Sequence, residues 1–397
     1  MKIAILGTRG IPNHYGGFEQ FADILSQGLV KKGHEITVYC SANHTYQEPE
    51  YKGVKLIHKF DPESQIGTIA QFLYDLLCMF HANKQNYDII YMLGYTSSSV
   101  WKRFIFKKKA IIVSNMDGME WKRSKYSGKV KLFLRHAEWL AVRYSDYLIA
   151  DSIGIQQYLQ KRHKKESTYL PYGSYVFEEP NEKKISFFKT IAYQYDMLIA
   201  RFEPENNIEM ILKAFAASDT KRELLLVGNY TGTEFGKKMF EQYSSDSRIR
   251  FMGAIYDQNA LDNLRYYSNL YFHGHSVGGT NPSLLEAMGS SSLICYHDNE
   301  FNKAIVGADG FAFSDTKSLK SIINTTLKSD CQEFIVNNLN KISTIYNWEI
   351  IIDQYEKYFL SICKEPPAPK GEKQKKVTRA PKGEQEKIPE SVLIDRD

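Results

Sequence analysis

An alternation of short strand-like and helix-like segments runs through the first 180 residues, breaks at a polar stretch, and then starts again. No other feature limits the possible folds as much. In the first run, apolar or β-branched segments fall at residues 2–6, 35–40, 54–58, 87–93, 110–114 and 147–150. Between the first two, Phe21, Ile24, Leu25, Gly28 and Leu29 recur at helical spacing, and Gly33 stands where a helix end favours positive φ. Strand, helix and strand at this spacing predict a parallel sheet with helices on its faces. Residues 178–184, rich in Glu, Lys, Pro and Asn, read as an interdomain linker. Beyond it, segments 197–200, 223–227, 249–252, 270–273 and 293–296 each lead into another helical pattern. The expected class is α/β, with doubly wound, Rossmann-like domains at residues 1–180 and 185–346 whose strand C-termini face a shared cleft.

A length of 397 residues accommodates two or three domains. With 43% apolar and 24% charged residues the chain can bury a sizeable core, which excludes wholesale disorder. No window approaches a membrane-spanning apolar run, and Met1 leads into the first strand without a secretory leader, so a cytoplasmic location is expected. The five cysteines, Cys40, Cys78, Cys295, Cys331 and Cys363, are dispersed and lack metal-ligand spacing, as expected for reduced thiols. Residues 364–397 mix proline with Lys, Glu and Gln and read as a disordered tail of no assignable role. The net charge is only +5, yet residues 100–135 hold eleven Lys or Arg against Asp117 and Glu120. Such a concentration fits either a solvated face or an anionic partner, such as phosphate or a membrane surface.

Three segments carry chemistry. Gly7-Thr8-Arg9-Gly10 ends the first strand and is followed by His14-Tyr15-Gly16-Gly17 and a helix with Glu19 in its first turn. A glycine-rich strand-to-helix loop lets backbone amides approach a phosphate or sugar at the positive end of a helix. A dinucleotide fingerprint would need GxGxxG opening the helix and an acidic residue ending the second strand, and neither is present. A glycine-adapted tight turn is the structural alternative. Arg201, in a segment reading Ala200-Arg201-Phe202-Glu203-Pro204-Glu205-Asn206-Asn207, follows a strand and is placed to fork onto a diphosphate, or to pair with a surface carboxylate. The segment from His273 through Gly278-Gly279-Thr280-Asn281-Pro282-Ser283 to Glu286 runs strand, glycine pair, helix start, carboxylate. That order offers amides and a helix dipole to a phosphate, and Glu286 to ribose hydroxyls. His273 and His275 lack a third metal ligand in sequence and read as packing or polar contacts.

These segments, together with Asp117-Gly118-Met119-Glu120-Trp121-Lys122-Arg123 and Asn347-Trp348-Glu349 to Tyr355-Glu356, resemble a retaining GT-B glycosyltransferase of family four. The likeness is to the branch of bacterial rhamnosyltransferases acting on lipid-linked glycans, and it covers about residues 1–362. The resemblance implies a donor site of Gly16, Gly17, Arg201, Asn206, Gly279, Thr280, Asn281, Ser283 and Glu286. It implies catalytic roles for Asp117, Glu120 and Arg201, an acceptor side including His14, Tyr15 and Arg123, and a last helix, 348–363, crossing back to the first domain. Gly278 stands where the wider family has a second carboxylate and Asn206 where it has a lysine, as in the rhamnosyltransferase branch, which favours a deoxysugar donor.

A nucleotide sugar, best dTDP-rhamnose, is the implied co-substrate, with no resident metal or other cofactor and no nucleic acid. The leaving group is a nucleoside diphosphate, whose charge Arg201 and two helix N-termini can meet. The only Asp-x-Asp, Asp395-Arg396-Asp397, falls in the tail and is read as chance. The implied acceptor is a lipid-diphosphate-linked saccharide, which gives the basic stretch 102–135 a membrane role on the inner leaflet. A GT-B sugar-nucleotide epimerase and a non-catalytic nucleotide-sugar scaffold are the alternatives, while a dehydrogenase is disfavoured by the first loop.

Overall fold

The computed structural model describes residues 1–14, 16–105, 110–123 and 126–364. Tyr15, residues 106–109, Ser124, Lys125 and the tail from residue 365 lie outside the described residues. The first lobe is one eight-stranded sheet of β1 (Lys2–Leu6), β2 (Glu35–Ser41), β3 (Glu50–Tyr51), β4 (Val54–Lys59), β5 (Ile89–Leu93), β6 (Ile111–Asn115), β7 (Tyr147–Ala150) and β8 (Thr168–Tyr169). Its order is β3-β4-β2-β1-β5-β6-β7-β8, and only β3 runs antiparallel to its neighbour. The second sheet contains β9 (Tyr195–Ile199), β10 (Glu223–Val227), β11 (Ile249–Gly253), β12 (Tyr271–His273), β13 (Ile294–His297) and β14 (Phe311–Phe313), ordered β11-β10-β9-β12-β13-β14 and parallel throughout. The expected α/β fold of two Rossmann-like sheets is what the chain forms. In each sheet the order reverses beside the first strand, between β1 and β5 and between β9 and β12, which is where doubly wound folds bind ligands.

All eleven expected strands are present, with ends shifted by up to two residues. β3, β8 and β14 were not anticipated, because two or three residues are too few to show a periodicity. Ile89–Leu93 is buried along its whole length, as a central parallel strand covered on both faces must be. The helix Gly17–Lys31 buries Phe21, Ala22, Leu25 and Leu29 against the first sheet. Gly28 has a separate purpose, since a Cβ there would come within 2.4 Å of Ile352 Cδ1. Ile352 belongs to the helix Trp348–Lys364, which returns to the first lobe and buries Trp348, Ile351, Tyr355 and Phe359. The Tyr91 and Tyr355 hydroxyls meet at 3.2 Å inside that contact. The polar segment 178–184 is anchored rather than free, for Asn181 N donates to Asn263 Oδ1 at 2.7 Å. Among the described residues no helix is long and apolar enough to cross a membrane.

Candidate functional site

Both lobes direct loops from their strand C-termini into one cleft. In the first lobe, β1 ends at Gly7 with φ of +92°, and a Cβ there would lie 2.2 Å from the carbonyl oxygen of Leu93. Only glycine permits this approach to β5. Glu19 is buried and faces its own loop, accepting from Arg9 N at 2.9 Å and Thr8 Oγ1 at 3.3 Å. The helix Gly17–Lys31 begins at Gly16, and a Cβ on Gly17 would stand 3.7 Å from Pro282 Cγ in the opposite lobe. Two helix N-termini, one from each lobe, therefore converge at the cleft. His14 sits exposed on the rim, its ring 5.6 Å from that of His44.

In the second lobe the helix Pro282–Gly289 is capped by Asn281, whose Oδ1 accepts from Ser283 N at 3.0 Å and Ser283 Oγ at 2.9 Å. The side chains of Asn281 and Ser283 are thus engaged with each other. Glu286, one turn on, accepts from Gln20 Nε2 of the first lobe at 2.8 Å and pairs through its other oxygen with Arg265. Arg265 is 1% exposed and also meets Asp262 Oδ1 at 2.9 Å. Burial works against its charge, but Glu286 and Asp262 more than offset this and hold the guanidinium protonated. Gln20, Asp262 and Arg265 carry no motif. The three-residue spacing of Asp262 and Arg265 on the helix Gln258–Tyr266 was the only available signal, and it does not name Glu286 as a partner.

Arg201 follows β9, is exposed, and among the described residues its side chain has no ion pair. The loop bearing it is fastened from behind. Asn206 is buried, and its amide donates to the Arg201 carbonyl at 2.7 Å, while Asn207 Nδ2 donates to Gly274 O at 2.7 Å. Ser276 N and Oγ donate to Glu205 O at 3.0 and 2.7 Å. A Cβ on Gly274 would lie 2.1 Å from Asn206 O, so the two loops pack as one unit. Asn206 braces Arg201 through this contact, and its side chain is committed there.

Across the cleft, burial and the neighbouring Glu120 push the Asp117 carboxyl up to about 6, against the pull of Arg123 and Arg201. Tyr172 OH is 3.5 Å from Asp117 Oδ1. Glu120 opens the 3₁₀ turn Glu120–Lys122 and binds Arg123 through Nε at 2.9 Å and Nη2 at 2.7 Å. Asp151, immediately after β7, is 1% exposed, and neither carboxyl oxygen has a hydrogen-bond partner among the described residues. Burial and the charge of Asp117 drive its carboxyl well above the usual range. Gly279 packs on it so tightly that a Cβ would fall 1.9 Å from Asp151 Oδ1, and Thr280 Oγ1 donates to the Asp151 carbonyl. The sequence gives no hint of Asp151, whose importance comes only from the apposition of the lobes. His273 and His275 stack at 4.4 Å, and burial and Arg201 hold His275 neutral, down to about 3. Among the described residues no three His, Cys, Asp or Glu side chains converge as metal ligands.

Lys102 departs from the expected basic face. It is buried and donates to Ser114 Oγ and, at 3.2 Å, to Ser145 Oγ, because its aliphatic stem packs inside the first lobe while three hydroxyl and amine groups satisfy one another.

Residues 192–339 match the domain family described as Glycosyl transferases group 1, and residues 1–175 match DUF1972, a domain of unknown function. No curated protein matches the chain significantly. Among solved structures, sucrose-phosphate synthase of Thermosynechococcus elongatus aligns at 16% identity with a TM-score of 0.73, over 92% of this chain and 99% of its own. HepE of Anabaena, in complex with UDP-glucose, aligns at 15% identity with a TM-score of 0.69, over 91% and 99%. WaaG, a glycosyltransferase involved in lipopolysaccharide biosynthesis, aligns at 14% identity with a TM-score of 0.67, over 90% and 99%. The two facing sheets with a returning C-terminal helix thus constitute the GT-B fold of glycosyltransferases. Within it, the match to the family described as Glycosyl transferases group 1 spans most of the second lobe.

Proposed function

We propose that this chain transfers a sugar from a nucleoside diphosphate to a hydroxyl of a lipid-diphosphate-linked saccharide, with retention of the anomeric configuration. The observation that carries this reading is Arg201: an exposed guanidinium without an ion pair among the described residues, braced by Asn206, on the loop after the first strand of the nucleotide-side sheet. Structures of HepE with UDP and UDP-glucose support a nucleotide sugar as the donor class for this fold. The diphosphate would lie on Arg201 and the amides around Gly279 and Thr280, the ribose on Glu286, and the helix starting at Gly17 would face the sugar. L-rhamnose from dTDP-rhamnose is the proposed donor, on the resemblance of the motifs.

Chemistry follows from where charge develops. As the anomeric carbon–oxygen bond to the diphosphate breaks, negative charge accumulates on the leaving phosphate, where Arg201 and the two helix N-termini stabilise it. The acceptor oxygen bonds to the anomeric carbon on the same face, and its proton passes to the departing phosphate oxygen. Asp117 and Glu120 orient that hydroxyl, with Arg123 holding Glu120 in place. The membrane side of the proposal rests on the outer face of the first lobe, where Arg103, Lys122, Lys129 and Arg135 are exposed beside Phe104 and Leu132, each 70% exposed.

The test is incubation with a panel of nucleotide sugars, with and without a polyprenyl-diphosphate saccharide. Acceptor-dependent release of nucleoside diphosphate together with a glycosylated lipid is expected. Free or isomerised sugar without acceptor would instead point to an epimerase, and binding without turnover to a scaffold. For the membrane contact, flotation with vesicles should show preference for anionic lipid, and equal flotation with neutral vesicles would remove that part.

A further inference from the structure

A cavity of about 410 Å³ opens on the first lobe, between the turn Glu120–Lys122 and the helices Gly128–Tyr144 and Ile153–His163. Its size is that of a small-molecule site. The floor is a carboxylate, Glu138, whose side chain is only 4% exposed. Three groups converge on it: Trp121 Nε1 donates at 3.1 Å, Tyr158 OH at 2.8 Å and His163 Nε2 at 2.7 Å. Both oxygens of this buried carboxylate are thus hydrogen-bonded, and it locks the rings around it.

The rim has the opposite character. Arg135 lies over the Trp121 ring, its guanidinium carbon 4.4 Å from the centroid, and Arg162 stands beside Tyr158. Both are exposed, and among the described residues neither has an ion-pair partner. Glu138 is already engaged and cannot neutralise both. Trp139, 46% exposed, offers an indole face at the mouth, its orientation steadied by His136 stacked at 5.7 Å. Two forked cations without counter-ions, set beside an open indole over a rigid floor, match an anion attached to a group with a flat C–H face.

We propose that this cavity, whose lining shares no residue with the transfer site proposed above, is a second binding site for a phosphate ester of a polyhydroxylated group, with the phosphate on Arg135 and Arg162 and the polyol face on Trp139. Nothing in this assignment depends on the transferase reading. The ester can be a membrane lipid headgroup or a soluble sugar phosphate, and the shared wall at Trp121 places either beside the Glu120–Arg123 pair.

The test uses the full chain and intrinsic tryptophan fluorescence. One arm titrates inositol phosphate and glycerol phosphate. The other adds vesicles of phosphatidylcholine containing phosphatidylinositol or phosphatidylglycerol. Arg162→Ala, Arg135→Ala with Arg162→Ala, and Trp139→Ala are compared with the parent. The two arginine variants should weaken binding by about tenfold or more, with Trp139→Ala weakening the inositol compounds most. Response to the soluble esters assigns a soluble ligand, and response only to vesicles assigns a headgroup. No response in either arm, or a response undiminished in the double variant, overturns the proposal, as does vesicle binding indifferent both to headgroup and to Trp139→Ala. Arg162→Ala removes only an exposed side chain, so a fold-related loss is recognisable from its melting curve. Nucleotide-sugar binding, measured in the same variants, should be unchanged, which separates failure here from failure of the transferase reading.

Discussion

Replacing Asp117 with asparagine separates the cost of holding this carboxyl from its use. Burial, then the neighbouring Glu120, raise the group from 3.8 to about 6. Its native value exceeds its unfolded one, so the folded protein holds an extra proton between those two pH values. Stability therefore declines as pH climbs through that window and is flat above it. At roughly 1.4 kcal/mol per pH unit the full rise corresponds to about 3 kcal/mol, and partial exposure of the group reduces this to an expected 1–3 kcal/mol. Asparagine keeps the shape and the contact with Tyr172 while removing the charge. In thermal melts Asp117→Asn should match the parent at pH 4 and unfold roughly 2–8 °C later at pH 7.5. Turnover should move the other way: acceptor-dependent transfer by the parent falls below about pH 6 as Asp117 protonates, and the variant is slow at every pH. A melting difference that is the same at both pH values would refute the burial argument, and full activity in the variant would remove Asp117 from the mechanism.

Arg201→Ala should lower nucleotide-sugar affinity by roughly 10–100-fold in calorimetry, the loss of a charge-assisted contact, with a nearly unchanged melting temperature because the side chain has no ion pair among the described residues. Glu286→Gln should both weaken donor binding and destabilise the second lobe, by roughly 3 kcal/mol in denaturant titrations, since buried Arg265 then keeps only Asp262 as counter-ion. Gly279→Ala places a methyl group where Asp151 Oδ1 now lies, so small-angle scattering should report a more open molecule and activity should collapse, whereas Gly128→Ala, with nothing within 4 Å, should change neither.

How much of this was legible in the sequence depends on whether the cause was local. β5 and the helix Gly17–Lys31 were legible because burial on a sheet face and on a helix stripe each leave a period in the chain. The loops at Gly7, Arg201 and Gly278–Glu286 were legible because glycine, proline and a helix cap act within a few residues. Arg265, Gln20 and Asp151 were not. Gln20 meets Glu286 across 266 positions and Thr280 meets Asp151 across 129, and neither pair alters its own neighbourhood in a way that pattern can reveal. Lys102 shows the converse error, for a lysine in a basic run reads as surface, yet Ser114 and Ser145 lie in wait for it inside the lobe. The aromatic cavity was invisible for a similar reason: Trp121, Glu138 and His163 come from three elements, and each alone is an ordinary residue.

The two sides of the inter-lobe contact differ in kind, and the difference says how the cleft opens. At the far side the helix Trp348–Lys364 buries Trp348, Ile351, Ile352, Tyr355 and Phe359, with Gly28 and Gly173 cleared to admit Ile352 and Trp348. Each such side chain is worth about 1.5–3 kcal/mol when fully buried, so separating this contact would cost far more than thermal motion supplies. At the mouth the contacts among the described residues include two hydrogen bonds, Gln20 to Glu286 and Thr280 to Asp151, each worth about 0.5–1.5 kcal/mol net, the apposed glycines Gly118 and Gly278, and one apolar side chain, Phe301, packed on Gly154 and Ile155. One apolar side chain at the mouth against five at the far side makes opening at the mouth about an intact hinge the less costly motion. The closed form also ties one Glu286 oxygen to Gln20, the same carboxylate proposed to receive the ribose. A donor hydroxyl on Glu286 would displace that contact, so closure on the nucleotide is coupled to binding to the extent that the donor also meets the first lobe at Gly17, a contact the open form lacks.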